Sequence, residues 1–283
     1  SFPTRRSSDL AWVWMMDRFV PYPFQNNISY LPREVILECL LERIDWRSDN
    51  AYPSLLGVMG PDEYAPITNN NAYSNRMVAL ALSHAAAVEE DEQLRERCRS
   101  IAQKLPLLRR ADGLILQCEE FEQFAEIDFT ALWRDRTKPF AAQVSQERLY
   151  RSRCLKQADV LLLMMLFPDE FSDAEVSQAW HYYLPYTTHD SSLSPGVHAM
   201  IALRLGVTDQ AWEFWERSLH LDFGGGAEEG IHIAAQGMNW QIAVFGFGGL
   251  RTAMQADILT LTPHLPHQWT RLAFPVIWKG QQA

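Results

Sequence analysis

A helix-rich, all-α fold of successive αα-hairpins, closing in a short β-rich tail, is what this sequence predicts. Three observations carry that expectation. Apolar residues recur at helical spacing through most of the chain, the links between the helical segments are only a few residues long, and strand-like alternation is confined to the end. Short links between consecutive helices make neighbours antiparallel.

Taken in order, REVILECLLERI at 33–44 sets Val35, Ile36, Leu40, Leu41 and Ile44 on one stripe with its charges opposite, the pattern of an amphipathic helix. RMVALALSHAAAV at 76–88 and EQLRERCRSIAQKL at 92–105 read as a helix pair divided by the acidic run Glu89-Glu90-Asp91. Residues 106–150 are looser. Helices are expected again over about 153–166, 172–184, 189–205, 207–221 and 230–255, and nothing before residue 256 reads as a sheet. From Ile258, ILTLTPHLP and then WTRLAFPVIWKG alternate around prolines, which predicts strands.

Composition bounds the function. At 283 residues, with 47% hydrophobic and 21% charged, the chain has the balance of a globular domain with a sizeable core. A net charge of −10 and a pI near 5.3 argue against nucleic acid and anionic membrane as partners. The longest apolar run, VLLLMMLF at 160–167, falls far short of the roughly twenty residues a membrane span needs. Cys39, Cys98, Cys118 and Cys154 lack the spacing of a metal site or disulfide framework, so reduced thiols and a cytoplasmic location are expected. The first ten residues, SFPTRRSSDL, read back through codons as a sequencing adapter and are set aside as a non-native segment, Arg5 and Arg6 included.

The most informative stretch is GVMGPDEYAPITNNNAYSN at 57–75. Gly57, Gly60 and Pro61 break regular structure before two carboxylates; Pro66, Asn69, Asn70 and Asn71 break it after them. Asp62-Glu63-Tyr64 is therefore a short loop. The residues alone leave two readings open, a solvated acidic turn and a catalytic loop carrying Glu63.

The words around that loop resemble the general-acid segment of glycoside hydrolase family 65, and the resemblance continues in order. It runs through KQADVLLLMMLFPDEF at 156–171, YYLPYTTHDSSLSPGVHA at 182–199, EEGIHIAAQGMNWQIAVFGFGGLR at 228–251 and LPHQWTRLAFPVIWKG at 265–280. The family contains inverting disaccharide phosphorylases and a minority of hydrolases. The resemblance implies the later part of an (α/α)6 barrel over 11–255 and the start of a small C-terminal β domain over 256–283. The family's N-terminal β-sandwich and early barrel helices have no counterpart, and a barrel lacking them is expected to expose an apolar seam.

The implied chemistry is cleavage of an α-glucosyl disaccharide by inorganic phosphate, giving β-glucose 1-phosphate and an acceptor sugar, with no cofactor and no metal. Glycosidic cleavage needs an acid for the leaving oxygen and a nucleophile at the anomeric carbon. The resemblance makes Glu63 the acid, Lys156 and Gln157 the ligands of the glucosyl unit, and His232 a phosphate ligand, with Ser191 and Ser192 bordering the phosphate pocket. Gly224, Gly225 and Gly226 would let a phosphate approach the backbone near the start of a helix. Other readings stay open. Lys156 and Gln157 suit a solvated helix face, His232 suits a core histidine, and His189, Asp190, Ser191 and Ser192 suit a helix cap. Asp159 reads as a structural partner at the inner end of its helix. A hydrolase would need a base, for which Glu228 and Glu229 are available; an inactive carbohydrate-binding remnant is the third alternative. Met238-Asn239 departs from the family pattern, and the family's Trp-Asp glucose pair is not identifiable, since Trp14 and Asp17 are not adjacent. Family members are commonly dimers.

Overall fold

The computed structural model describes residues 12–15, 18–21, 44–45, 52–223, 230–253, 258–278 and 280–282. The adapter-like residues 1–10, most of the helix expected at 33–44, Cys39, Gly224 to Gly226, Glu228 and Glu229 lie outside them. The chain forms two compact units. The first comprises residues 1–56 and 78–106, the second residues 57–77 and 107–283.

In the first unit, strands β1 (Trp12–Met15) and β2 (Arg18–Pro21) pair antiparallel, as do β3 (Ile44–Asp45) and β4 (Ser54–Leu55). The expectation of no sheet before residue 256 is corrected here. WVWM and RFVP are rich in aromatic and β-branched residues, which suit paired strands, and runs this short escape a reading by periodicity. Ile44, expected to end a helix, lies in β3. Helix α1 (Ala72–Val88) begins in the second unit and ends in the first, followed by α2 (Glu92–Lys104). Asp91 starts α2 by accepting from Leu94 N at 2.9 Å, a side-chain cap on an otherwise orphan helix-end donor. Cys98 and Ile101 form the buried face of α2.

The second unit holds the main core. Helices α3 (Asp159–Leu166), α4 (Asp173–Tyr183), α5 (Ser194–Arg204) and α6 (Thr208–Leu219) succeed one another through short links, as expected of αα-hairpins. Ser172 and Glu175 close a reciprocal capping box at the start of α4. α5 is the central helix: its residues 194–199 and 201–203 are buried, and it packs against both α3 and α6. Tyr183 is fully buried and donates its hydroxyl to Ile115 O at 2.7 Å, tying the loose middle region to the core. A satellite cluster of Tyr64, Phe140, Leu149 and Cys154 lies under the acidic loop. Cys98, Cys118 and Cys154 are buried thiols.

Helix α7 (Ile233–Gln241) runs into a π-helical turn (Ile242–Phe247) and stops, so the helix expected over 230–255 is shorter than its periodicity suggested. Gly248 and Gly249 end it. Gly249 sits at φ +61°, and a Cβ there would stand 1.9 Å from Thr262 O, a closeness only glycine permits. Strand β5 (Leu250–Ala253) follows directly and pairs with β6 (Ile258–Leu261); β7 (Ile277–Trp278) pairs with β8 (Gln281–Gln282). Ile233 and Trp240 on α7 and Phe245 in the π-helical turn are exposed. Among the described residues, no helix is long and apolar enough to cross a membrane.

Candidate active site

The acidic loop is folded by its own breakers. Gly57 turns at φ +61°, and Val58 and Thr68 bridge the two sides of the loop with reciprocal backbone bonds of 2.8 and 3.0 Å. Asn70 adopts φ 51°, a left-handed conformation that asparagine tolerates. Asn71 then caps α1 by accepting from Ser74 N at 3.0 Å. The three asparagines are thus structural: Asn69 Nδ2 donates to Glu120 at 2.6 Å and Asn70 Nδ2 to Glu119 at 3.0 Å.

Two neighbours in sequence have opposite fates. Asp62 is fully buried, and Glu63 is exposed with its carboxylate ion-paired to Lys156 Nζ. Asp62 Oδ1 accepts from Lys156 N at 2.8 Å and from Tyr64 N at 3.3 Å, and its Oδ2 from Gln117 Nε2 at 2.8 Å. Asp159, at the start of α3, accepts from Asp62 N at 2.8 Å and from Asn71 Nδ2 at 2.9 Å. Gln117 completes the set, since its carbonyl accepts from Asp159 N at 3.1 Å. A buried pair of carboxyl groups, served by two amides and backbone N–H groups, therefore pins the loop on either side of Glu63. Gly60 lies against it so closely that a Cβ would come within 2.0 Å of Asp159 Oδ2.

Burial pushes the Asp62 carboxyl up to about 7, against hydrogen bonds that pull it down. Burial, then the Asp62 charge, holds Asp159 well above the usual carboxylate range. The linkage sign follows. A folded-state pKa raised above the unfolded one favours folding fully below about pH 4 and loses that advantage as pH rises towards 7. Asp62→Asn is therefore expected to flatten the fall in unfolding free energy between pH 4 and 7, measured by denaturant titration at fixed salt. An unchanged pH slope would refute it.

The segment preceding α3 carries the other two sugar-facing candidates. Gln157 Nε2 donates to Pro61 O at 2.5 Å, and its carbonyl accepts from Ser191 Oγ at 2.9 Å. Lys156 and Gln157 thus reach Glu63 and the residues just before it from one dipeptide. Tyr64, nearly buried, donates its hydroxyl to Asp190 Oδ2 at 2.5 Å. The 189–193 loop is not the helix cap that its composition allows: Leu193 precedes α5 without a side-chain cap, and Ser191 Oγ instead accepts from Leu193 N at 3.3 Å. His189, at φ 59°, bonds Ser194 Oγ at 2.8 Å, and its ring lies 4.4 Å from that of His198. Burial pushes His189 down to about 2 and His198 down to about 4, so both are neutral at physiological pH. Ser192 is half-buried.

His232 belongs to a separate cluster. It immediately precedes α7, and Asp222 receives its Nδ1 at 2.7 Å, its backbone N–H at 3.2 Å, and Gln236 Nε2 at 2.8 Å. The His232 bond, then Gln236, holds the Asp222 carboxyl below its usual range. The departure at 238–239 has a packing role: Met238 lies against Gly196 of α5, and Asn239 donates to Ser218 O at 3.3 Å. α6 connects the two clusters. Arg217 donates to His189 O at 3.2 Å, one residue before Ser218, so the Ser191 loop and the His232 helix both meet the C-terminal end of α6. The segments that precede α3 and α5 meet through Gln157 and Ser191, and the start of α7 is held at Asp222, three residues beyond α6.

Among the sequence-derived candidates, Glu63 and Lys156 are in direct contact and Gln157 joins Ser191. His232 shares no described bond with either pair. Sequence reasoning missed Gln117, Tyr64, Asp190 and Asp222 as partners. A polar residue inside a stretch of broken periodicity was the only available signal for Gln117. Among the described residues, no group of three His, Cys, Asp or Glu side chains is placed to hold a metal ion. Glu228 and Glu229, the carboxylates a hydrolytic base would require, lie outside the described residues.

The chain is similar to known proteins along most of its length. Residues 35–241 match the Glycosyl hydrolase family 65 central catalytic domain, and residues 251–282 match the Glycosyl hydrolase family 65, C-terminal domain. An alpha,alpha-trehalose phosphorylase of Thermoanaerobacter brockii is 31% identical over 300 residues, covering 95% of this chain and 38% of the relative. A kojibiose phosphorylase of Halothermothrix orenii is 32% identical over 245 residues, covering 79% and 31%. A maltose phosphorylase of Bacillus subtilis is 32% identical over 243 residues, covering 80% and 31%. A solved structure described as "Putative kojibiose phosphorylase from human microbiome" superposes with a TM-score of 0.76 at 30% identity, covering 87% of this chain and 37% of that one. The chain spans about a third of the length of the curated relatives it matches.

Proposed function

Since the chain belongs to glycosyl hydrolase family 65, we propose that it carries the acid, sugar and phosphate residues of an inverting disaccharide phosphorylase acting on an α-glucoside. The observation that carries this reading is the exposed Glu63 carboxylate set against Lys156, on a loop that a buried network holds in place. Glu63 is the general acid that protonates the leaving oxygen. Lys156 and Gln157 hold hydroxyls of the glucosyl unit through ammonium and amide donors. Phosphate is the nucleophile, received by His232 at the start of α7 and by Ser191 and Ser192 ahead of α5, where backbone N–H groups favour an anion. The Asp222 carboxylate fixes Nδ1 of His232 as a donor and leaves Nε2 as the ring atom for a ligand. The products are β-glucose 1-phosphate and a free acceptor sugar.

Transfer to phosphate is supported by the relatives, which carry phosphorylase names, and by the GIHIAA segment in which His232 stands. The test is consumption of kojibiose, trehalose and maltose by the chain within the full reading frame that encodes it, with and without phosphate. Turnover is expected only with phosphate, releasing β-glucose 1-phosphate. Equal turnover without it would replace this reading with hydrolysis.

A further inference from the structure

Glu63 is bracketed by two tethers, and both end on adjacent residues of one loop. On its N-terminal side, Pro61 O accepts from Gln157, whose carbonyl accepts from Ser191. On its C-terminal side, Tyr64 donates directly to Asp190. Residues 61 and 64 are thereby fixed to residues 191 and 190.

Asp190 is itself well anchored. The oxygen that receives Tyr64 also accepts from Ala141 N at 3.2 Å, and Asp190 N donates to Thr188 Oγ1 at 3.3 Å. Thr188 is buried and bound through both N and Oγ1 to Leu155 O, at 2.8 and 3.1 Å, just before Lys156. The tyrosine ring is nearly buried in the cluster with Phe140, Leu149 and Cys154, so its hydroxyl arrives from a rigid support. A phenol donating to a carboxylate at 2.5 Å is a charge-assisted bond, among the stronger kinds.

We propose that Tyr64 is a positioning residue for the phosphate side of the site. Through Asp190 it fixes the separation between the acid Glu63 and the loop bearing Ser191 and Ser192. This inference rests on the phosphorylase reading. Inverting displacement places the acid and the nucleophile on opposite faces of the anomeric carbon, so their spacing must be held in the ground state.

The experiment is a kinetic split on Tyr64→Phe, which keeps the buried ring and removes only the hydroxyl. The KM for phosphate is expected to rise about tenfold or more, while the KM for disaccharide stays within about twofold. Asp190→Ala is expected to give the same phosphate-specific change, and the double variant to be no worse than Asp190→Ala alone, as for two residues acting through one bond. An unchanged phosphate KM in Tyr64→Phe, additive effects, or equal losses for both substrates would overturn the proposal. Should Tyr64→Phe not fold, Asp190→Ala decides by the same phosphate measurement. Phosphate dependence of the unsubstituted protein in the same assay separates failure of this inference from failure of the phosphorylase reading.

Discussion

Glu63→Gln is expected to lower turnover of an unactivated disaccharide by about 10²- to 10⁴-fold, the usual worth of a positioned general acid. The amide keeps the size of the side chain and loses the proton that the departing sugar oxygen needs. Stability should change by less than about 0.5 kcal/mol, because the side chain is exposed. Its pairing with Lys156 adds little to that, since exposed ion pairs contribute roughly 0–1 kcal/mol. The loss should therefore sit in kcat. A glucosyl fluoride, whose leaving group needs no protonation, should retain most of its turnover. Parallel loss on both substrates, or normal turnover of the disaccharide, would remove Glu63 from the acid role.

Gly60→Ala is expected to be the most damaging single methyl group in the loop. Its Cβ would stand 2.0 Å from Asp159 Oδ2 and 2.6 and 2.8 Å from the two amide atoms of Asn71. Those side chains are not flexible ends that swing aside. Asp159 is buried and receives Asp62 N and Asn71 Nδ2, and Asn71 also caps α1. Displacing them strands buried polar groups, a loss of about 3–5 kcal/mol for a broken buried network. The measurement is the denaturant midpoint, with the slope checked for two-state behaviour. A midpoint unchanged from that of the parent chain would mean that the loop relaxes freely and that its rigidity has been overstated.

The legible part of this molecule is the part written in local chemistry. Gly57, Pro61, Pro66 and the asparagines marked the acidic loop, and the φ values of Gly57 and Asn70 match the conformations those residues favour. The longer helices between 72 and 219 are legible as periodic runs whose starts shift by up to six residues, whereas the short helices Phe129–Leu132 and Gln146–Tyr150 lie in the middle region read as loose. The family blocks brought Glu63, Lys156, Gln157 and Ser191 into view as one set. What stayed hidden was set by distance along the chain. Asp62 and Asp159 lie 97 residues apart, and Tyr64 and Asp190 lie 126 apart. No spacing rule links such pairs, because tertiary packing selects them. Asp62 and Glu63 show the limit sharply: adjacent carboxylates look alike in sequence, and only the fold buries one and exposes the other. The end of α7 was misjudged for a related reason, since apolar periodicity continues through Phe247 while Gly249 obeys a backbone approach from Thr262.

The thiols take no part in this chemistry, but their placement gives the protein built-in clocks. Cys98 lies on the inner face of α2, Cys118 in the main core and Cys154 beneath Tyr64. Burial pushes Cys118 up to about 12 and also pushes Cys154 up, so neither offers thiolate to an alkylating reagent while the fold is closed. The rate at which each sulfur is labelled then reports the opening of its own neighbourhood. Cys154 in particular times the lifting of the support on which Tyr64 and the acidic loop rest.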